Sequence, residues 1–114
     1  MLNRAKDQKT TTIEKLRGGE GTITCRHLIP AEDSCGKFRM CAILTLEPGC
    51  SIGEHSHQPD AEYCYMLEGE MTIMDGGKEH TVYPGDAWFC GDGASHYTKN
   101  NSDKKAVFMA VVVE

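Results

Sequence analysis

The sequence predicts an all-β fold, a β-sandwich or barrel behind a polar N-terminal arm. Three observations predict it. From Thr22 onward, short apolar or β-branched runs are cut by turn residues roughly every ten positions. No stretch after residue 20 repeats its apolar residues with the period of about 3.6 that a helix requires. The chain also holds 12 glycines in 114 residues, and tight turns need the positive φ that glycine adopts freely.

Residues 1–20 are polar and end in Gly18-Gly19-Glu20-Gly21. They read as an arm, mobile or ordered only against a partner. Residues 21–114 form the one domain this length allows. Thr22–Leu28 is β-branched and predicts a strand. Pro30 to Gly36 is a loop. Phe38–Leu46 predicts a longer strand, stopped by Pro48-Gly49. Its Phe38, Met40, Ala42, Leu44 and Leu46 share one face; Arg39, Cys41, Ile43 and Thr45 share the other. Glu62–Leu67 and Glu70–Met74 are strands parted by Gly69. Asp75-Gly76-Gly77 is a hairpin signal, followed by a short strand at Thr81–Tyr83. Pro84-Gly85-Asp86 closes it, and Ala87–Cys90 is the next strand. Gly91-Asp92-Gly93 turns the chain into His96–Asn100. Ala106–Val113 is the last strand.

Composition narrows the function classes. The net charge of -5 argues against nucleic acid, which needs a basic footprint. No apolar run approaches a membrane span, and the N-terminus lacks the apolar region of a secretory signal. The charge is uneven: residues 1–40 carry eight Lys/Arg and five Asp/Glu, residues 41–114 four and twelve. The six cysteines include no Cys-x-x-Cys pair. They are expected to be free thiols in a reducing cytoplasm, not a disulfide framework or zinc knuckle.

Metal chemistry enters with histidine spacing. His55 and His57 are alternate residues, so one strand face projects both imidazoles. Glu62 starts the next strand after a short turn, Gln58-Pro59-Asp60-Ala61. His96 starts a later strand that a barrel can bring opposite. Three imidazoles and a carboxylate suit a divalent transition metal. His27 and His80 are expected to be surface or hydrogen-bonded histidines. Asp60 and Glu54 flank the ligand loop and are expected to be solvated acids, with hydrogen bonds to the imidazoles as the alternative.

Two blocks frame these residues. The first runs Gly49, five residues, His55-x-His57, four residues, Glu62, six residues, Gly69. The second runs Gly85, five residues, Gly91-x-Gly93, two residues, His96, three residues, Asn100. In these blocks the chain resembles the cupin superfamily. Residues 49–69 match its first motif throughout. Residues 85–100 match its second, except that Gly91 stands where the motif has proline. The resemblance covers residues 40–114 and is closest to small single-domain cupins. It implies a double-stranded β-helix, a jelly-roll barrel of six to eight strands. It also implies a metal held by His55, His57, Glu62 and His96, with iron, manganese, nickel, zinc, copper and cobalt undistinguished.

Counting in twos from the ligands puts Cys64 and Met66 on the metal's side of one strand. It puts Thr98 and Asn100 on that side of another. These four are the expected pocket lining: soft, with few polar anchors, suited to a small ligand bound through the metal. Cys64 reads as a packing cysteine, with an accessory redox-sensitive ligand as the alternative. Two functions follow. One is a metal-dependent enzyme on a small molecule, of dioxygenase, isomerase or lyase type; no motif singles out a catalytic residue. The other is a non-catalytic module that binds or senses a small ligand or metal. An apolar last strand would be hazardous at a sheet edge. A C2 homodimer is therefore expected, with residues 1–30 contributing.

Overall fold

Alternation of apolar and polar residues on most strands builds two antiparallel sheets that face one another across the core. The structure is a computed structural model and describes all 114 residues. The strands are β1 (Thr10–Glu14), β2 (Thr22–His27), β3 (Phe38–Leu46), β4 (Ser51–Ser56) and β5 (Ala61–Glu68). They continue with β6 (Met71–Asp75), β7 (Lys78–Val82), β8 (Ala87–Cys90), β9 (Ser95–Lys99) and β10 (Ala106–Val113). One sheet has six strands in the order β1-β2-β3-β10-β5-β8, and the other has four, β4-β9-β6-β7. This is the expected all-β jelly-roll architecture, with ten strands instead of six to eight. No helix is long and apolar enough to cross a membrane.

The core lies between the sheets. Ala42, Leu44 and Leu46 of β3 point inward, as do Ala106, Phe108 and Ala110 of β10, all buried. They meet Ile52, Met71 and Ile73 of the smaller sheet in one apolar cluster. Trp88 joins from the partly buried rim, its ring 5.5 Å from that of Phe108. This orients β8: Trp88 and Cys90 face inward and Phe89 faces out.

The N-terminal segment differs from the expected arm. Residues 10–14 form β1, paired with β2 in register from Thr10↔Arg26 to Glu14↔Thr22. Every β1 residue is exposed, so no alternation of apolar residues marks the strand. Backbone pairing with an existing edge holds it instead. The last strand also sits differently. β10 lies between β3 and β5, in the middle of its sheet, so its apolar residues meet no open edge.

Three bulges break the ladders. Val112 pairs with Met40 and Val113 with Phe38, leaving Arg39 as an extra residue on β3. Between β4 and β9, Ile52 pairs with Thr98 and His55 with His96, so two residues of β4 oppose one of β9. Leu67 is likewise extra on β5. An extra residue reverses the in–out alternation beyond it, and the first two bulges adjoin the site described next.

Candidate metal centre

The β4 bulge sets the first ligand. With it, Ile52 and His55 both face the interior despite their odd spacing, and the pairing His55↔His96 lays two imidazoles side by side. His57 follows in the loop after β4. Its backbone is held at both ends, His57 N–H donating to Ala94 O and Gly93 N–H to His57 O. Glu62 enters from β5, in the facing sheet. The structure thus brings together all four residues expected as ligands. One donor atom from each of His55, His57, Glu62 and His96 lies within 4.8 Å of the others.

The distances are short. His96 Nε2 is 3.1 Å from His55 Nε2 and 3.2 Å from His57 Nε2. Glu62 Oε1 is 3.0 Å from His96 Nε2 and 3.6 Å from His57 Nε2. His57, Glu62 and His96 are buried and His55 is half-buried.

Neighbouring acceptors assign two tautomers. The Gly53 carbonyl, 2.8 Å from His55 Nδ1, can only accept, so Nδ1 carries the proton. Asp60 Oδ1, 3.2 Å from His57 Nδ1, assigns His57 the same way. A neutral imidazole has one N–H, so both Nε2 atoms present lone pairs to the centre. Burial holds the His55 imidazole below its ordinary pKa, against the opposing pull of the Gly53 carbonyl. Two bare nitrogens, a third imidazole and a carboxylate oxygen converge, with too few protons to pair them. A divalent cation fits this donor set, and its chemistry is that of nitrogen and oxygen ligands to a first-row metal.

Asp60 is not the solvated loop acid expected from the sequence. It is 7% exposed and bridges His57 to an ion pair with Arg39. Glu54 is exposed, and its carboxylate accepts from Ser95 Oγ at 3.1 Å. Burial, and after it the neighbouring Glu62 carboxylate, push the Cys64 thiol far up. Cys64 packs in the core cluster, outside the cavity wall and the donor cluster, as a packing residue does.

A cavity of about 160 Å³ opens on the four donors. Its wall includes Met40, Leu44, Ile52, Phe108 and Val112. Of the four residues expected to line it, Thr98 does so. Cys64 and Met66 are buried on the expected face but pack in the core cluster. Asn100 is wholly buried and spends its amide on structure: Nδ2 donates to Leu46 O and Lys104 O, and Oδ1 accepts from Ser102. Of the remaining histidines, His27 Nε2 lies 2.9 Å from Thr11 Oγ1 and His80 is exposed on β7.

The wall also carries Arg39 and Arg17, which the sequence reading did not single out. Alternation put Arg39 on the outer face of β3; the bulge turns it toward the cavity. Arg17 comes from the N-terminal segment. No local pattern marks either residue.

Comparison with known proteins agrees with this architecture. The chain is similar to the oxalate-binding protein of Thermotoga maritima, 34% identical over 99% of this chain and 93% of that protein. A crystal structure of a predicted oxalate decarboxylase from Thermotoga maritima superposes with a TM-score of 0.93. It is 34% identical, over 99% of this chain and 98% of that one. The polyketide cyclase RemF of Streptomyces resistomycificus superposes with a TM-score of 0.79 at 28% identity, over 99% of this chain and 80% of that one. Residues 42–112 match the Cupin domain family, and with two sheets facing one another around the donor cluster, the chain belongs to that family.

Proposed function

We propose that this protein binds a small carboxylate anion at a divalent transition metal held by His55, His57, Glu62 and His96. One observation carries the reading. The donor cluster lies on a cavity whose other charged side chains, Arg17 and Arg39, are both cationic. An engineered apolar cavity of about 150 Å³ holds benzene, so this one of about 160 Å³ takes a ligand of similar bulk. The oxalate-binding relative, 34% identical, supports a carboxylate of that size. When bound, the metal supplies Lewis acidity and sites for ligand oxygens. The chain's own part is to orient the imidazoles through Gly53 O and Asp60, to exclude water with its apolar wall, and to attract negative charge.

Two measurements test it. Elemental analysis of protein purified without added metal is compared with His57→Ala; metal in the first and little in the second is expected. Calorimetric titration with oxalate is then run on metal-loaded and metal-free protein, with binding expected only to the first. Equal metal content in the two proteins, or no carboxylate binding to the loaded one, overturns the reading.

A metal-dependent enzyme is the second reading, supported by the polyketide cyclase relative. Beyond the donor cluster, the wall offers no carboxyl, imidazole, amine or phenol for proton transfer, and burial pushes up the pKa of its one thiol, Cys25. That disfavours an isomerase or lyase, which needs such a group, and favours the dioxygenase type, in which the metal does the activation. Dioxygen consumption by the iron-loaded protein with small carboxylates and diketones distinguishes it from a binding module.

The outer face of the six-stranded sheet supports a homodimer. Two rows cross four strands: Ile43, Met109, Tyr65, Ala87 and Cys41, Val111, Tyr63, Phe89. Neither row contains a charge. Four strands about 4.8 Å apart and two rows about 6.6 Å apart span on the order of 250 Å². An uncharged face on a chain of net charge -5 is complemented by the same face of a second copy. Sedimentation velocity is expected to give the mass of a dimer. All six cysteines are free, which supports a reducing cytoplasm.

A further inference from the structure

We infer that Arg17 is a specificity-determining residue that recognises a second negative charge on the ligand, so that the site selects dianions over monoanions. The inference rests on the carboxylate reading above and deepens it. Four features of the chain lead to it.

First, Arg17 lines the cavity onto which His55, His57, Glu62 and His96 open. Second, its guanidinium has no partner. Each ion pair of the chain involves another residue. Arg39 differs, because Asp60 already engages it. An arginine presents five donors in a planar fork that matches a carboxylate, and on Arg17 all five are free.

Third, its backbone is held in an uncommon shape. Arg17 has φ 55° and ψ 29°, and Lys15 φ 50° and ψ 46°. Left-handed backbone is unfavourable for a residue with a side chain and persists where the surroundings impose it. Fourth, those surroundings are the ligand strand itself. A Cβ on Gly53 would lie 2.1 Å from Arg17 O, and one on Gly19 would lie 2.2 Å from Ser51 O. Ser51 N–H also donates to Glu20 O, and Glu20 N–H to Ser51 Oγ. The turn that bears Arg17 is therefore pressed against β4 two residues before His55. Gly53 does two jobs there: its carbonyl orients His55, and its missing side chain admits the turn. The turn thus fixes Arg17, an exposed residue, on the wall of the cavity.

Oxalate and oxamate test this. They share size and shape, and oxamate replaces one carboxylate with a neutral amide. Wild type, Arg17→Met and Arg17→Lys are each loaded with Mn²⁺ and titrated calorimetrically with both. Metal content and melting temperature confirm that the variants are folded and loaded. Wild type is expected to prefer oxalate tenfold or more. Arg17→Met is expected to lose at least tenfold on oxalate and less than twofold on oxamate, and Arg17→Lys to recover part of the preference. If Arg17→Met weakens both ligands equally, or neither, the inference falls while the carboxylate reading stands. If loaded wild type binds neither ligand, both fall.

Discussion

At the residue scale, Asp60 shows how a turn residue comes to govern a ligand. Its carboxylate accepts from His57 Nδ1 and pairs with Arg39, so it sets the tautomer that exposes the Nε2 lone pair. Removing such a partner ordinarily costs about 10–100-fold in metal affinity. Asp60→Ala is expected to weaken metal binding by that order in a competition with a chelator, and Asp60→Asn by less, because its amide oxygen still accepts. Gly91 explains its own departure from the family's motif. A Cβ there would lie 2.9 Å from Ala61 Cβ and 2.8 Å from the Phe89 ring. A proline carries that Cβ. Gly91→Pro is therefore expected to lower the melting temperature, while restoring the motif by letter. The residue types at the site were legible in the sequence from the His-x-His spacing and the short turn to Glu62, although His57 lies in the loop after β4 and not on the strand that alternation gives it. Arg39 and Asp60 were not, because their partnership joins a bulge on β3 to the loop after β4.

At the scale of elements, the β4 bulge decides the most. Ile52 and His55 face inward together only because two residues of β4 oppose one of β9. Gly53 sits in that bulge, against the turn that bears Arg17. Gly53→Ala must push that turn away, since the added carbon meets backbone. A loss of oxalate affinity is expected, together with lower thermal stability. The smaller sheet carries a separate electrostatic bridge. Tyr97 Oη donates to Glu79 Oε2 at 2.6 Å, and Lys99 Nζ lies 2.9 Å from the same oxygen. Glu79 is on β7 and the other two on β9, so the contact spans β6. The Tyr97 hydroxyl, and after it Lys99, hold the Glu79 carboxyl below its ordinary pKa. A carboxyl with a lowered folded-state pKa stabilises the fold above its unfolded pKa and loses that contribution as pH falls through the folded value. Tyr97→Phe is expected to raise the Glu79 titration midpoint by NMR. It should also flatten the loss of stability below about pH 4.3, the ordinary glutamate value. Most strand positions were legible from alternation and turn residues, and Phe38–Leu46 and Ala106–Val113 coincide with β3 and β10. β1 was not, because five exposed residues leave no apolar signature.

At the scale of the molecule, the two sides of the larger sheet have different work. The inner side builds the core and the cavity wall. Leu46 is wholly buried, so Leu46→Ala is expected to cost about 2–5 kcal/mol in denaturant unfolding. The outer side carries the uncharged rows proposed to pair two copies. Val111→Glu places a charge in the middle of a row. Sedimentation is expected to shift from dimer to monomer, with metal content unchanged. An unchanged mass would remove the face from consideration. The sequence by itself determined the all-β class, most strand boundaries and the donor types, since these follow from periodicity, turn residues and spacing within about twenty residues. Tertiary structure alone decided that β10 lies in mid-sheet, that bulges bring Ile52 inward and Arg39 to the cavity wall, and that Asn100 serves the loops instead of the cavity. Each of these depends on which strand lies beside which, and on where a ladder gains one residue. Pairing across the chain is a property of the whole sheet, and no local run of residues records it.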